Sequence, residues 1–295
     1  MTSTPPALGL LLDVDGPIAS PVTRTIAIPS IIDDLVFLAA AGVPIAFITG
    51  RSDAFIRDQV MTPLLAAGLG DALSADGARM FAVFEKGAAW ATVGPDGLGE
   101  TQIDASVAVP AALVTAVREL HAREFDAEMF WDDTKHAMIS VEQRLDVAPA
   151  VYKPAQERFE NAAFAAAAEL GIGLRYRDRT LVDAGGETPF RIDPTIISTD
   201  IESVLLDKDT GAQRALDHFE AIGPLPPLWR SVGDSRSDYK MADHVHARGL
   251  EVAHVDVRPS DGLLEKPYRV IVEGDLIHDE AGAAFLAYWR EKLTP

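Results

Sequence analysis

A chain of 295 residues, 48% of them hydrophobic, with 22 Gly and 19 Pro, is long enough for two domains with full cores and is not composed like a disordered chain. Its 26 Lys and Arg against 45 Asp and Glu leave a net charge of −19, which argues against nucleic acid or an anionic membrane as partner. The absence of Cys excludes disulfides, thiolate metal sites and a thiol nucleophile, and fits a cytoplasmic protein.

Leu8 to Leu12 is a short apolar run that predicts a buried strand, and it stops at Asp13-Val14-Asp15-Gly16-Pro17. With the strand ending near Asp13, both carboxylates can lean into one pocket, where hard oxygen ligands suit Mg2+. The same string opens a calcium-loop pattern, but the position that needs a bidentate Glu is Arg24 and the flank is strand-like. No basic residue precedes Arg24, so no signal-peptide n-region precedes the run. Ser30 to Ala41 predicts a helix capped by Ser30 and stopped by Gly42. Val43 to Ile48 predicts a second buried strand ending in Thr49-Gly50-Arg51-Ser52, with Ser52 capping a helix that carries Phe55, Ile56 and Val60. The apolar stretch from Leu35 to Ile48 contains Gly42 and Pro44 and is too short to span a bilayer.

Alternating strands and helices imply a parallel sheet whose carboxyl ends form the ligand-binding rim. Asp13, Asp15 and Thr49 would share that rim, with the Thr49 hydroxyl, the Gly50 amide and the helix N-terminus beyond them as donors to a phosphate. Ala72 to Ala75 reads as a third strand, after which Asp76-Gly77 marks a change of pattern.

Residues 80–206 read as a separate α+β unit. It opens with a hairpin from Met80 to Val93 turning at Glu85-Lys86-Gly87, then a helix from Pro110 to Glu124 and a half-buried antiparallel strand from His136 to Glu142. An Ala-rich helix from Pro154 to Leu170 is closed by Gly171, and strands follow at Gly173 to Tyr176, Arg179 to Asp183, Phe190 to Ile197 and Ile201 to Leu206. The alternating pattern then resumes. Lys208 directly precedes a helix from Asp209 to Glu220, and a strand from Trp229 to Val232 ends in Gly233-Asp234-Ser235-Arg236-Ser237-Asp238 at a helix start. Strands at Leu250 to Ala253 and Arg269 to Val272 and a helix from Leu276 to Lys292 complete a domain, residues 1–79 and 207–295, that is split by residues 80–206.

Four motifs at strand ends or helix starts, Asp13/Asp15, Thr49, Lys208 and Asp234/Asp238, occur in an order and with flanks that resemble the haloacid dehalogenase superfamily of aspartate-nucleophile phosphohydrolases. An insertion between the Thr and Lys motifs is similar to that of the subgroup with a large α+β cap, which includes Cof-type sugar phosphatases, trehalose phosphate phosphatases and phosphomannomutases. The resemblance implies a Rossmann-like parallel-sheet core with an inserted α+β cap that selects the substrate, Mg2+ as cofactor, and a small phosphorylated metabolite such as a sugar phosphate as partner.

Each residue then has a chemical task. Asp13, held against Mg2+ and low in pKa, is the candidate nucleophile, and Asp15 the acid that protonates the leaving alkoxide and afterwards the base that activates water. The metal set would be the Asp13 carboxylate, the Asp15 carbonyl and Asp234, with Asp238 one helical turn on as an outer or water-mediated ligand. Thr49, Gly50 and Lys208 would hold the transferring phosphoryl oxygens. Two positions depart from the pattern of the family: Pro17 stands where Thr is common, and Asp76-Gly77 where Asn-Gly is usual. Two alternatives stay open, a mutase that moves phosphate between positions of a sugar and a non-catalytic phosphosugar-binding protein.

Weaker signals lie in the insertion and beyond it. Arg175, Arg177 and Arg179 alternate, so a strand would put them on one face, best read as a solvated one. Lys135 or His136 could stand over the pocket and contact substrate. His244 and His246 diverge on a helix and read as surface histidines. Gly171-Ile172-Gly173 lacks the third glycine of a dinucleotide loop, and no phosphate-loop lysine motif occurs, which disfavours NAD and P-loop chemistry.

Overall fold

A computed structural model describes residues 7–294, which divide into two compact units, one of residues 7–102 with 207–294 and one of residues 103–206. In chain order the first unit opens with β1 (Leu8–Leu12), α1 (Pro29–Ala40), β2 (Ile45–Ile48) and the short helices α2 (Asp53–Phe55), α3 (Thr62–Ala66) and α4 (Leu69–Leu73), with a π-helical turn over Ile56–Met61 between the first two of these. Strands β3 (Met80–Phe84), β4 (Ala89–Gly94), β5 (Gly97–Leu98) and β6 (Gln102–Ile103) follow. The second unit carries α5 (Ala111–Glu124), β7 (Met129–Trp131), β8 (Ile139–Gln143), α6 (Pro149–Glu169), β9 (Leu174–Tyr176), β10 (Arg179–Leu181), β11 (Phe190–Pro194) and β12 (Ser198–Ser203). The first unit resumes with α7 (Lys208–Ile222), β13 (Leu228–Gly233), α8 (Tyr239–Ala247), β14 (Glu251–Asp256), β15 (Arg269–Ile271) and α9 (His278–Leu293).

The core sheet runs β15-β14-β13-β1-β2-β3-β4-β5, parallel from β15 to β3 and antiparallel beyond. β1 is central, with Leu12 in register between Val232 and Phe47. Its LGLLL is fully buried because each face lies against helices. Leu10, Leu12, Ile45 and Phe47 pack into one apolar cluster with α1 and α9, and Leu11, Ala46 and Ile48 into another with α7 and α8.

The insertion folds as expected into an α+β unit, a sheet in the order β10-β9-β11-β12-β8-β7 sharing one apolar cluster with α5 and α6. β12, STDIES, is buried along its whole length. Thr199 donates to Glu160 of α6 at 3.0 Å, while Asp200 accepts from Ser140 at 2.7 Å and Glu202 from Arg191 at 2.6 Å.

Several expectations are corrected. Ala72 to Ala75 is not a strand: α4 ends there, and the third parallel strand is β3. The hairpin from Met80 exists, but β3 pairs in parallel with β2, so residues 80–102 extend the core unit rather than open the insertion. MFAVF is buried on both faces, the pattern of an interior strand and not of a two-sided hairpin. α1 begins at Pro29, whose missing N–H suits a first turn, and Ser30 is not its cap. α6 likewise starts at Pro149 and carries Pro154 inside it. The three arginines do not share a face: Arg177 sits in the β9–β10 turn at φ 54°, Arg175 pairs across from Thr180 and Arg179 across from Tyr176. Arg177 is bound to Glu157 and Arg179 to Asn161, both on the exposed side of α6.

Candidate active site

The chain turns sharply at the carboxyl end of β1. Asp13 N donates to Val232 O at 2.9 Å, Asp13 Oδ1 accepts from Val14 N at 2.7 Å, and Ala19 N closes a turn on Val14 O at 2.7 Å. Gly16 takes φ 96° in that turn, and a Cβ there would lie 2.8 Å from Asp234 Cβ, so the glycine lets the β1 and β13 loops pass in contact.

Lys208 is the first residue of α7, whose N-cap is Asp207. Its buried ammonium is ion-paired with Asp13 Oδ1 at 2.6 Å and Asp238 Oδ1 at 2.6 Å and donates to Ile48 O at 3.0 Å. The other oxygen of Asp238 accepts from Ser235 N at 2.9 Å, Ser235 Oγ at 2.7 Å and Asp234 N at 3.1 Å, so Asp238 folds the β13–α8 turn around itself. Asp234 stands at the lip of this turn, its Oδ2 3.8 Å from both Arg258 Nη1 and His278 Nδ1. Thr49 is fully buried, and its hydroxyl accepts from Arg51 N at 3.0 Å, which leaves its proton to donate.

Among the protein's own groups, burial, reinforced by Asp238 and opposed by Lys208, holds the Asp13 carboxyl well above the ordinary carboxylate range; the low value expected of Asp13 is that of the carboxylate held against Mg2+. Burial and Asp238 likewise push Asp234 up to about 6. Burial would also raise Asp238, but Lys208 and the Ser235 hydroxyl hold it below its usual value. Lys208 is held above the ordinary lysine value because the attraction of Asp13 and Asp238 exceeds its own desolvation. Three carboxylates thus face one lysine, and the raised values of Asp13 and Asp234 mark the two whose ionised forms lack a countercharge.

Asp13, Asp234 and Asp238 each offer an oxygen within 4.8 Å of the others. This hard, oxygen-only set fits a divalent cation such as Mg2+, and the uncompensated charge on Asp13 and Asp234 is what such a cation would neutralise. Asp15 differs from the simple expectation, for its carboxylate is turned to Arg51, with Nε 3.0 Å from Oδ2 and Nη2 2.9 Å from Oδ1. Lys135 lies in the other unit, its Nζ 3.8 Å from Asp132 Oδ2. Sequence reasoning assigned no role to Arg51, Arg258, His278 or Ser235. Arg258 could have been found by the strand-end rule that found the acids, since it follows the carboxyl end of β14.

No protein-family model matches the chain, and no curated protein matches its sequence. Solved structures do match. The C-terminal domain of trehalose-6-phosphate phosphatase from C. albicans is 13% identical with a TM-score of 0.63, over 96% of this chain and 92% of that one. A haloacid dehalogenase-like hydrolase from Bacteroides thetaiotaomicron is 11% identical with a TM-score of 0.56, over 96% and 100%. N-terminally truncated IMP-nucleotidase from Plasmodium falciparum is 10% identical with a TM-score of 0.55, over 97% and 70%. The chain therefore has the haloacid dehalogenase-like hydrolase fold, an α/β core with an inserted α+β unit. Among the described residues no helix is long and apolar enough to cross a membrane.

Proposed function

We propose that this protein is a Mg2+-dependent phosphohydrolase that cleaves a small phosphomonoester, a sugar phosphate by class, through an aspartyl-phosphate on Asp13. The observation that carries the reading is the buried Lys208 ammonium held 2.6 Å from both Asp13 and Asp238 beside Asp234, which supports reading Asp13 as the nucleophile, Lys208 as its countercharge and the acids as cation ligands. The likeness to phosphatase and nucleotidase structures supports the same reaction class.

Asp13 Oδ attacks phosphorus, the ester P–O bond breaks, and Asp15 delivers a proton to the departing oxygen. A water molecule then attacks the acyl-phosphate as Asp15 takes up its proton, and inorganic phosphate leaves with Asp13 restored. Lys208 and the Thr49 hydroxyl hold phosphoryl oxygens while charge moves through them, with the Gly50 amide beside Thr49. Asp13, the Asp15 carbonyl and Asp234, with Asp238 behind them, would hold the cation, which would neutralise charge on the nucleophile and phosphoryl group. Unaided phosphate-monoester hydrolysis is so slow that about 20 kcal/mol of barrier or more must be removed, which calls for both the covalent route and the cation. The inserted unit, Lys135 included, is the source of substrate selection in this reading.

Phosphate release from p-nitrophenyl phosphate, measured with Mg2+ and with chelator beside Asp13→Asn, tests the reaction. Release that depends on the metal and on Asp13 is expected, and equal rates for wild type and variant would remove the nucleophile. A panel of sugar phosphates tests the substrate class. An isomeric product without free phosphate would favour a mutase, and binding without turnover a phosphosugar-binding protein.

A further inference from the structure

Both oxygens of Asp15 are taken by one guanidinium. Arg51 Nε lies 3.0 Å from Oδ2 and 3.2 Å from Oδ1, and Nη2 lies 2.9 Å from Oδ1, a fork that fixes the plane of the carboxylate and its side-chain torsions together. Arg51 is itself anchored, its guanidinium carbon 4.9 Å from the Phe55 ring centre and its backbone N–H on Thr49 Oγ1. The Asp15 backbone is set by the turn in which Gly16 N donates to Ala19 O at 2.9 Å. With side chains 19% and 37% exposed, the pair contributes little to stability; what it supplies is direction. A half-exposed aspartate without such a partner samples several rotamers, and a proton donor misplaced by about an ångström loses much of its effect.

Resting on the phosphohydrolase reading above, we infer that Arg51 is a positioning residue for Asp15: it fixes the direction of the carboxyl by two hydrogen bonds to Oδ1 and one to Oδ2, and the proton passed to the departing ester oxygen is carried on the lone pair of Oδ2 that the guanidinium leaves open. In either ester the bond from Asp13 to phosphorus forms as the ester P–O bond breaks. An alkoxide needs the proton of Asp15 at that moment, whereas nitrophenolate departs as the anion. Arg51 thereby sets how far the enzyme can use unactivated esters.

The test compares kcat/KM, with Mg2+, for p-nitrophenyl phosphate and for an alkyl ester such as glycerol phosphate or a hexose phosphate. The chains compared are wild type, Asp13→Asn, Arg51→Lys and Arg51→Ala, the last with and without millimolar guanidinium. Arg51→Ala is expected to lose about tenfold or more on the alkyl ester and less than about threefold on the aryl ester, which serves as the folding control. Added guanidinium restores alkyl turnover, and Lys, with a single point charge, restores it in part. Equal losses on both esters, or no loss on the alkyl ester, overturn the role of Arg51 while the hydrolase reading stands. A wild type that cleaves neither ester, or an Asp13→Asn chain as active as wild type, overturns the hydrolase reading and the role of Arg51 with it.

Discussion

Lys208 Nζ stands 2.6 Å from Asp13 Oδ1, so the first residue of α7 meets the residue that follows β1, although the whole insertion lies between them in sequence. The ammonium is shared with Asp238, and all three groups are buried. Deleting one partner of a buried ion pair typically costs about 3–5 kcal/mol because the remaining charges are stranded. Lys208→Met is therefore expected to lower the free energy of unfolding by about 3 kcal/mol at pH 7, read from urea midpoints. Asp13 and Asp238 can accept protons once the lysine is gone, so the loss shrinks towards pH 5. A loss that is the same at both pH values would mean that the lysine is packed rather than paired.

The cation makes a second expectation. The folded Asp234 carboxyl is raised from 3.8 to about 6, so in chelator its contribution to stability is greatest below pH 4 and is lost as pH rises through 4 to 6. A divalent cation that binds the ionised carboxylates offsets this. At about a hundred times its Kd it adds roughly 2.7 kcal/mol, about 5 °C or more in Tm for a chain of this size. Mg2+ is expected to raise Tm by that order at pH 7.5 and by much less at pH 5, and Asp234→Ala to abolish the shift. A shift of equal size in the variant would exclude Asp234 from the cation site.

His254 works in the opposite sense. It is fully buried in β14, with Nδ1 2.8 Å from Ser231 Oγ and its ring against Tyr239, and burial pushes its pKa down to about 4. The unfolded chain protonates near 6.5, so stability from the neutral imidazole is complete above that value and is lost as pH falls from 6.5 to 4, by about 3 kcal/mol in all. Urea midpoints of wild type between pH 7 and 4.5 should fall more than those of His254→Gln; parallel curves would show that another group carries the acid loss.

How much of this was legible before folding depends on distance along the chain. The abrupt ends of the apolar runs at Asp13 and Thr49 are readable because a strand buried on both faces leaves a continuous hydrophobic string whose stop is conspicuous. MFAVF at β3 carries the same string but reads as the first half of a hairpin, since the turn at Glu85-Lys86-Gly87 is a stronger local signal than a parallel partner far off in sequence. Ala72 to Ala75 was misread because a short apolar run does not distinguish a strand from the end of a helix. The fork from Arg51 to Asp15 was invisible for a different reason: it follows from β1 and β2 lying side by side in a particular register, which neither segment specifies alone.

α9 meets the turn after β1 at a glycine. A Cβ on Gly282 would lie 1.8 Å from Pro17 O, a backbone atom of the turn that carries Asp15 and Gly16, so nothing flexible can yield. Alanine would gain up to about 1 kcal/mol as a helix former, while overpacking against backbone typically costs about 1–3 kcal/mol. Gly282→Ala is therefore expected to destabilise by about 1–2 kcal/mol and, by displacing Pro17, to move Asp15 and Gly16 against Asp234. Phosphate release should then fall at least severalfold at temperatures where the variant is still fully folded by circular dichroism. Unchanged activity in a folded Gly282→Ala chain would show that the turn can shift on α9 without disturbing the carboxylates, and would separate the packing of this helix from the chemistry at the rim.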